Sequence, residues 1–309
     1  MTKVGFIGLG TMGASFASNV QKAGFDLTVH DLHRQLAERH VQAGAGWAAS
    51  PKALGEECEV VLTSLPGPPE VDAVVLDAAG LAAGLKPGSA IFDLSTNSPS
   101  RVRRLHGLLA EKGIHFFDAP VSGGPKGAAS GKCAIWVGGD EAVFNKYKHV
   151  LDAMGDQVRR IGDIGAGSIA KLAHNAAGYA MQTAFAEVMA MGVKGGLDPL
   201  ALWSAIRQGA RGRQRSFDFM ADQYMVDQFD PPAFALKLAH KDVSLAAELG
   251  RELGVPMRMI NMTLAELTEA LGRGWEGRDS RVAMTLQNER AGITVKADPA
   301  RVRQMIENE

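Results

Sequence analysis

The stretch Lys171-Leu172-Ala173-His174-Asn175 is the part of this chain best suited to moving protons. On a helix, residues three and four apart share a face, so Lys171, His174 and Asn175 present an amine, an imidazole and a carboxamide side by side. A lysine in a partly closed cleft can have its pKa lowered toward neutrality and so trade protons. On spacing alone the same triplet also fits a solvated helix start. A second chemical stretch, Asp118-Ala119-Pro120-Val121-Ser122-Gly123-Gly124, is a glycine-rich loop after a strand pattern, without the Lys-Ser/Thr of a phosphate loop. Its physical use is to aim the Ser122 hydroxyl and the Gly123 and Gly124 amides at an anion such as a carboxylate.

A third stretch, Gly8-Leu9-Gly10-Thr11-Met12-Gly13, is a GxGxxG loop. It follows an apolar strand pattern, opens a helix and is followed about 20 residues later by Asp31, the context a dinucleotide site requires. Gly8 permits the tight turn, Gly10 lets the backbone approach a pyrophosphate, and Gly13 allows close helix–strand packing. The helix N-terminus offers free N–H groups to the phosphates. A carboxylate at Asp31 accepts hydrogen bonds from ribose hydroxyls and repels a 2′-phosphate, which predicts NAD over NADP. His33 and Arg34 lie nearby, where they fit a solvated turn better than a weakening of that discrimination. The turns Thr63–Pro66 and Ser95–Pro99 end strands on the same sheet edge. Leu65 and Pro66 are therefore candidates to flank a ribose, and Thr96 to hydrogen-bond near a nicotinamide, although each turn alone is ordinary.

These stretches need elements to hold them. The first half alternates short apolar runs with helical patterns, as in a parallel sheet covered on both faces. Strands are predicted at Val4–Gly8, Leu27–His30, Glu59–Ser64, Ala90–Leu94, His115–Phe117, Cys133–Val137 and Val158–Ile161. Helices are predicted between them at Ala14–Lys22, Pro69–Leu76, Ser100–Lys112 and Glu141–Ala153. After the glycine-rich joint Gly162–Gly167 only helical periodicity remains: one long helix over Ser168–Met191, then Pro199–Arg207, Ala233–Leu253, Met257–Leu271 and a last helix after Asp298-Pro299. The expected architecture is an α/β domain over 1–163 and an all-α domain over 164–309. Clefts between domains are preferred ligand sites.

Composition narrows the function classes. The 309 residues suit two domains, and 46% hydrophobic with 22% charged residues excludes a disordered chain. A net charge of -1 is a poor basis for nucleic-acid binding. No apolar run approaches the roughly 20 residues of a membrane helix, and no secretory signal is expected ahead of the first strand. The expected setting is cytoplasmic. Two cysteines, Cys58 and Cys133, are too few for a disulfide framework or a zinc cluster. They read as small buried hydrophobes, and no metal site is expected.

The set GLGTMG, DAPVSGG, GAGSIAKLAHN and LAHKD, in this order, resembles the β-hydroxyacid dehydrogenases, a family that includes 3-hydroxyisobutyrate dehydrogenase, tartronate semialdehyde reductase and the 6-phosphogluconate dehydrogenases. The resemblance covers about residues 3 to 290. It implies an N-terminal Rossmann doubly wound sheet, a long interdomain helix, and an all-helical domain for substrate binding and oligomerisation as a homodimer or homotetramer. By motif, Lys171 resembles the catalytic acid/base and Asn175 the residue that orients the substrate and Lys171. Ser122, Gly123 and Gly124 resemble the substrate carboxylate site, Thr96 and Lys241 cofactor contacts, and Asp242 a residue at the substrate end.

The chain also departs from the family pattern. His174 stands where the shorter dehydrogenases commonly have Asn, and together with Tyr179 it resembles the 6-phosphogluconate branch. His174 is thus a candidate contact to an extra polar group of the substrate. Lys126, Lys132, Arg211, Arg213 and Arg215 are further cationic candidates, and the loops around Asn97 and Arg211–Ser216 are candidate pocket walls. Residues after Ala291 run beyond the family's usual end and receive no function. The expected reaction is reversible hydride transfer between NAD and a small β-hydroxy acid resembling 3-hydroxyisobutyrate. A 6-phosphogluconate-type oxidative decarboxylase and a non-catalytic dinucleotide-binding scaffold are the alternatives.

Overall fold

Side chains along the N-terminal strands alternate between two apolar cores, the signature of a sheet covered on both faces. Phe6, Val60, Leu62, Phe92 and Phe117 enter one core, whereas Ile7, Val61, Ile91 and Phe116 enter the other. The computed structural model describes residues 2–209, 212, 220–221, 223–254 and 256–307. The chain divides into two compact units, Met1–Ala173 and His174–Glu309.

In the first unit, β1 (Lys3–Ile7), α1 (Gly13–Lys22), β2 (Asp26–His30), α2 (Glu38–Gln42) and β3 (Gly46–Trp47) form one half of the winding. After α3 (Pro51–Glu57) the chain crosses to the other side of β1 and builds β4 (Val60–Thr63), α4 (Pro68–Leu76), β5 (Ala90–Asp93), α5 (Pro99–Ala110) and β6 (His115–Asp118). The order β3-β2-β1-β4-β5-β6 is parallel throughout and reverses direction between β1 and β4, where open α/β sheets bind ligands.

The sheet then departs from the all-parallel expectation. β7 (Val121–Ser122), α6 (Gly124–Ser130) and β8 (Ala134–Gly138) follow, and β8 runs antiparallel to both β6 and β7. Only Ala119 and Pro120 separate β6 from β7, and β8 runs back between these two strands. α7 (Glu141–Leu151) then leads to β9 (Gln157–Gly162), parallel to β8, and to the long helix α8 (Ala166–Lys194). The predicted long helix is present, and the division between units falls inside it, beyond the Gly162–Gly167 joint.

The second unit continues with α9 (Pro199–Gln208), α10 (Leu236–Glu252), α11 (Arg258–Gly272), α12 (Thr285–Ala291) and α13 (Pro299–Glu307). α10 begins at Leu236 rather than the predicted Ala233 because the backbone N–H groups of Ala233 and Phe234 donate to the buried Asp279 carboxylate. Such side-chain acceptors compete with helix formation. The residues after Ala291 pack on this unit through buried Val295 and Val302, and Ala297 N donates to Met225 O at 2.7 Å. Cys58 and Cys133 are both free and buried, as predicted. Among the described residues no helix is long and apolar enough to cross a membrane.

Candidate active site

The glycine loop follows β1 as predicted, and each glycine has a physical reason. Gly8 has φ +92°, a region open to glycine, and its N–H donates to His30 O of β2 at 3.0 Å. A side chain at Gly13 would overlap the Gly8 carbonyl oxygen, so α1 lies on the loop at a distance only glycine allows. Beside Gly10 a Cβ would meet open space, as close approach of a diphosphate requires. No side chain caps α1 at Met12, and the positive end of the helix dipole there suits an anion. This cradle fits a dinucleotide.

Asp31 leaves the end of β2 beside this loop. Its Oδ2 accepts from Leu9 N at 2.7 Å and its Oδ1 from His33 N at 2.8 Å, so the carboxylate is held in place by two backbone donors. Leu32 beyond it is 92% exposed, and Arg34 stacks over Trp47 at 5.7 Å.

Between the other loops of this edge stands a carboxylate that the sequence reading passed over. Asp93 ends β5 and is buried. Its Oδ1 accepts from Thr63 Oγ1 at 2.9 Å and Ser95 N at 3.1 Å, and its Oδ2 from Asn97 Nδ2 at 3.1 Å. Burial raises its pKa, while the bonds from Ser95, Asn97 and Thr63 oppose the shift. Leu65 N donates to Ser95 Oγ at 2.9 Å, so the turns bearing Leu65, Pro66 and Thr96 share one anchor. Asn97, a candidate pocket wall, is instead buried and faces inward on Asp93. The available signal was an aspartate closing a wholly buried apolar strand, AIFD.

The Asp118–Gly124 loop carries its glycines in the left-handed region, Gly123 at φ +147° and Gly124 at +58°, with both residues exposed. A Cβ on Gly123 would come 2.9 Å from Cys133 Sγ. That thiol is pushed up to about 11 by burial, against the opposing charge of Lys171. Lys171, half-buried in α8, is therefore in electrostatic range of the sulfur on which the glycine loop rests. Lys126 and Lys132 are exposed, and Arg211, Arg213 and Arg215 lie outside the described residues.

In the helical unit, Asn175 is half-buried and donates from Nδ2 to Asp242 Oδ2 at 2.5 Å. Lys241 Nζ lies 3.0 Å from the other oxygen, Asp242 Oδ1. Asp242 is only 1% exposed, so this carboxylate is shut away from solvent beside Asn175 and Lys241. His174 is exposed. Tyr179, a turn further along α8, has its phenol pKa raised well above the ordinary value, chiefly by burial and then by the Asp242 charge. Among the described residues no group of three or more His, Cys, Asp or Glu could hold a metal ion.

Comparison with known proteins agrees with this architecture. Residues 3–162 match the family described as the NAD binding domain of 6-phosphogluconate dehydrogenase, and residues 165–286 match the NAD-binding domain of NADP-dependent 3-hydroxyisobutyrate dehydrogenase. The chain is 34% identical to 2-(hydroxymethyl)glutarate dehydrogenase of Eubacterium barkeri, over 95% of this chain and 97% of that one. It is 33% identical to the NAD-dependent L-serine dehydrogenase of Pseudomonas aeruginosa, over 93% and 98% of the two chains. A 3-hydroxyisobutyrate dehydrogenase structure from Mycobacterium tuberculosis superposes with a TM-score of 0.83 at 27% identity, covering 93% of this chain and 99% of that one. A glycine cradle at the end of β1, a doubly wound sheet, a long helix carrying Lys171 and Asn175, and matches across nearly the whole length lead to one conclusion: this chain belongs to the β-hydroxyacid dehydrogenase family of NAD(P)-dependent oxidoreductases.

Proposed function

We propose that the protein interconverts a small β-hydroxy acid, similar to 3-hydroxyisobutyrate, with its carbonyl product, using NAD in preference to NADP and Lys171 as general acid/base. The observation that carries this reading is that Lys171, on the first turns of α8, lies within electrostatic range of Cys133, beside which Gly123 packs. It supports a substrate whose carboxylate lies on the Ser122–Gly124 loop and whose hydroxyl faces an amine.

When bound, the nicotinamide supplies the hydride acceptor or donor. The other tasks fall to the chain. Gly8, Gly10, Met12 and Gly13 receive the diphosphate, Leu9 and Asp31 the ribose, Leu65, Pro66 and Thr96 the nicotinamide side, and Lys241 a further polar contact. Ser122 Oγ and the Gly123 and Gly124 amides hold the substrate carboxylate. In oxidation the neutral Lys171 amine takes the hydroxyl proton; in reduction the ammonium returns a proton to the oxygen. A general acid/base of this kind contributes about 10²–10⁴-fold. Asn175 orients the hydroxyl, its amide fixed by Asp242. His174 faces the remaining part of the substrate.

The NAD preference is supported by the Asp31 carboxylate, at a position where a 2′-phosphate would approach. A homodimer or homotetramer is supported by Leu197, Leu253, Met259 and Met262, each more than half exposed on the helical unit. The direct test is a spectrophotometric screen with NAD and NADP across 3-hydroxyisobutyrate, glycerate, 3-hydroxypropionate, 4-hydroxybutyrate, threonate, sulfonated analogues and 6-phosphogluconate. Turnover of a small hydroxy acid without carbon dioxide release is expected. Carbon dioxide release from 6-phosphogluconate alone would overturn the proposal.

A further inference from the structure

Asp118, the last residue of β6, is 1% exposed, and no step of the proposed reaction uses it. Both carboxylate oxygens go to the start of α8: Oδ1 accepts from Gly165 N at 2.8 Å and Oδ2 from Ser168 N at 2.6 Å. The first N–H groups of a helix lack intrahelical partners and carry partial positive charge. That role usually falls to a Ser, Thr, Asp or Asn directly before the helix. Here it is filled by a strand end distant in sequence.

The surroundings are shaped to this contact. Gly165 has φ +93°, which turns its N–H onto the carboxylate. A side chain at Gly138 would overlap Asp118 Oδ1. At Gly167 a Cβ would lie 2.7 Å from Asp118 O and 3.0 Å from Pro120 Cδ. Strand end, β8 and helix start therefore meet at backbone distance. From Asp118 the chain runs through Pro120 to Ser122, and from Ser168 less than one helical turn leads to Lys171.

We propose that Asp118 is a positioning residue, a clamp that fixes Lys171 relative to the Ser122–Gly124 loop by holding the first turn of α8 on the end of β6. The proposal rests on the reading of Lys171 as acid/base. Its physical basis is stiffness: a strand end and a helix turn have little internal freedom, so a displacement at the clamp is passed on to the amine. A misplacement of about 1 Å can cost about a hundredfold in rate.

The test uses the full-length enzyme and the hydroxy acid identified in the screen. Asp118→Asn keeps the size but turns an amide N–H₂ toward a backbone N–H. We expect kcat to fall about ten- to a hundredfold, with the substrate KM and the NADH dissociation constant, read by fluorescence, within about twofold. In a Lys171→Ala background the same substitution is expected to change the residual rate by less than about twofold, because no amine is left to position. An equal loss in both backgrounds, or a fall in NADH affinity that parallels kcat, assigns Asp118 a general structural role and overturns the proposal. An unchanged kcat in Lys171→Ala alone overturns the acid/base reading itself, and is distinguishable because Asp118 is then intact. Should Asp118→Asn not fold, Gly165→Ala strains the other end of the same clamp while leaving the buried charge. The same pattern supports the proposal, and a wild-type kcat contradicts it.

Discussion

Asn175 Nδ2 donates to Asp242 Oδ2 at 2.5 Å, and that carboxylate is buried with Lys241 3.0 Å from its second oxygen. One acid thus sets the orientation of two side chains assigned to binding, which makes it a stability determinant as well as a functional one.

Replacing Asp242 with alanine removes the acceptor of the Asn175 amide and the counter-charge beside the partly buried Lys241 ammonium. Hydrogen bonds to a charge are each worth about 1.5–3 kcal/mol, so a loss of about 2–3 kcal/mol is expected. Calorimetry should show Tm lower by roughly 5–10 °C. A Tm equal to that of the parent would mean that the pair is not held in solution.

Asp31 tests the cofactor preference. Asp31→Ser removes the charge that opposes a 2′-phosphate and one acceptor of Leu9 N. The ratio of kcat/KM for NAD over NADP should fall by at least about tenfold. An unchanged ratio would place discrimination elsewhere.

Gly13→Ala puts a methyl group onto the Gly8 carbonyl. To relieve the overlap α1 must move away from the loop, so NADH affinity, measured by fluorescence titration, should drop at least about tenfold. Gly24, where a Cβ meets nothing within 4 Å, follows the C-terminal end of α1, opposite the end that bears the cradle.

Burial pushes the Asp118 carboxyl up to about 6, from an ordinary value of 3.8, against hydrogen bonds from Ser168 and Gly165. Below pH 4 the group is protonated whether the chain is folded or not. Between 4 and 6 the folded chain keeps the proton that the unfolded chain releases, so stability falls as pH rises through this window. The effect reaches about 2–3 kcal/mol, and above pH 6 it is constant. Chemical denaturation of Asp118→Asn should therefore lack this component: wild type should lose stability relative to the variant from pH 4 to 6. Parallel curves would contradict the buried, ionising carboxyl.

Much of the frame was legible because its signals are local. Apolar runs such as VVL and AIF must be buried on both faces, and a GxGxxG between strand and helix has few other uses. The two-residue strands Gly46–Trp47 and Val121–Ser122 carry too little pattern to be seen, and their pairing is set by the neighbours. The antiparallel direction of β8 is set by its pairing with β6 and β7, which no periodicity records. Asp93 and Asp118 were hidden for a different reason. They are register partners on adjacent strands, but Thr63, on Asp93, comes from β4 and both donors to Asp118 come from a helix start. A carboxylate whose partners are remote looks, in sequence, like any polar residue at a strand end.

The claim on which the catalytic account depends is that the Lys171 amine moves the substrate proton. Steady-state turnover of Lys171→Ala, measured beside its NADH dissociation constant, tests it most directly. The account predicts a fall in kcat of at least about a hundredfold with cofactor affinity nearly unchanged. Turnover equal to that of the wild type would contradict it.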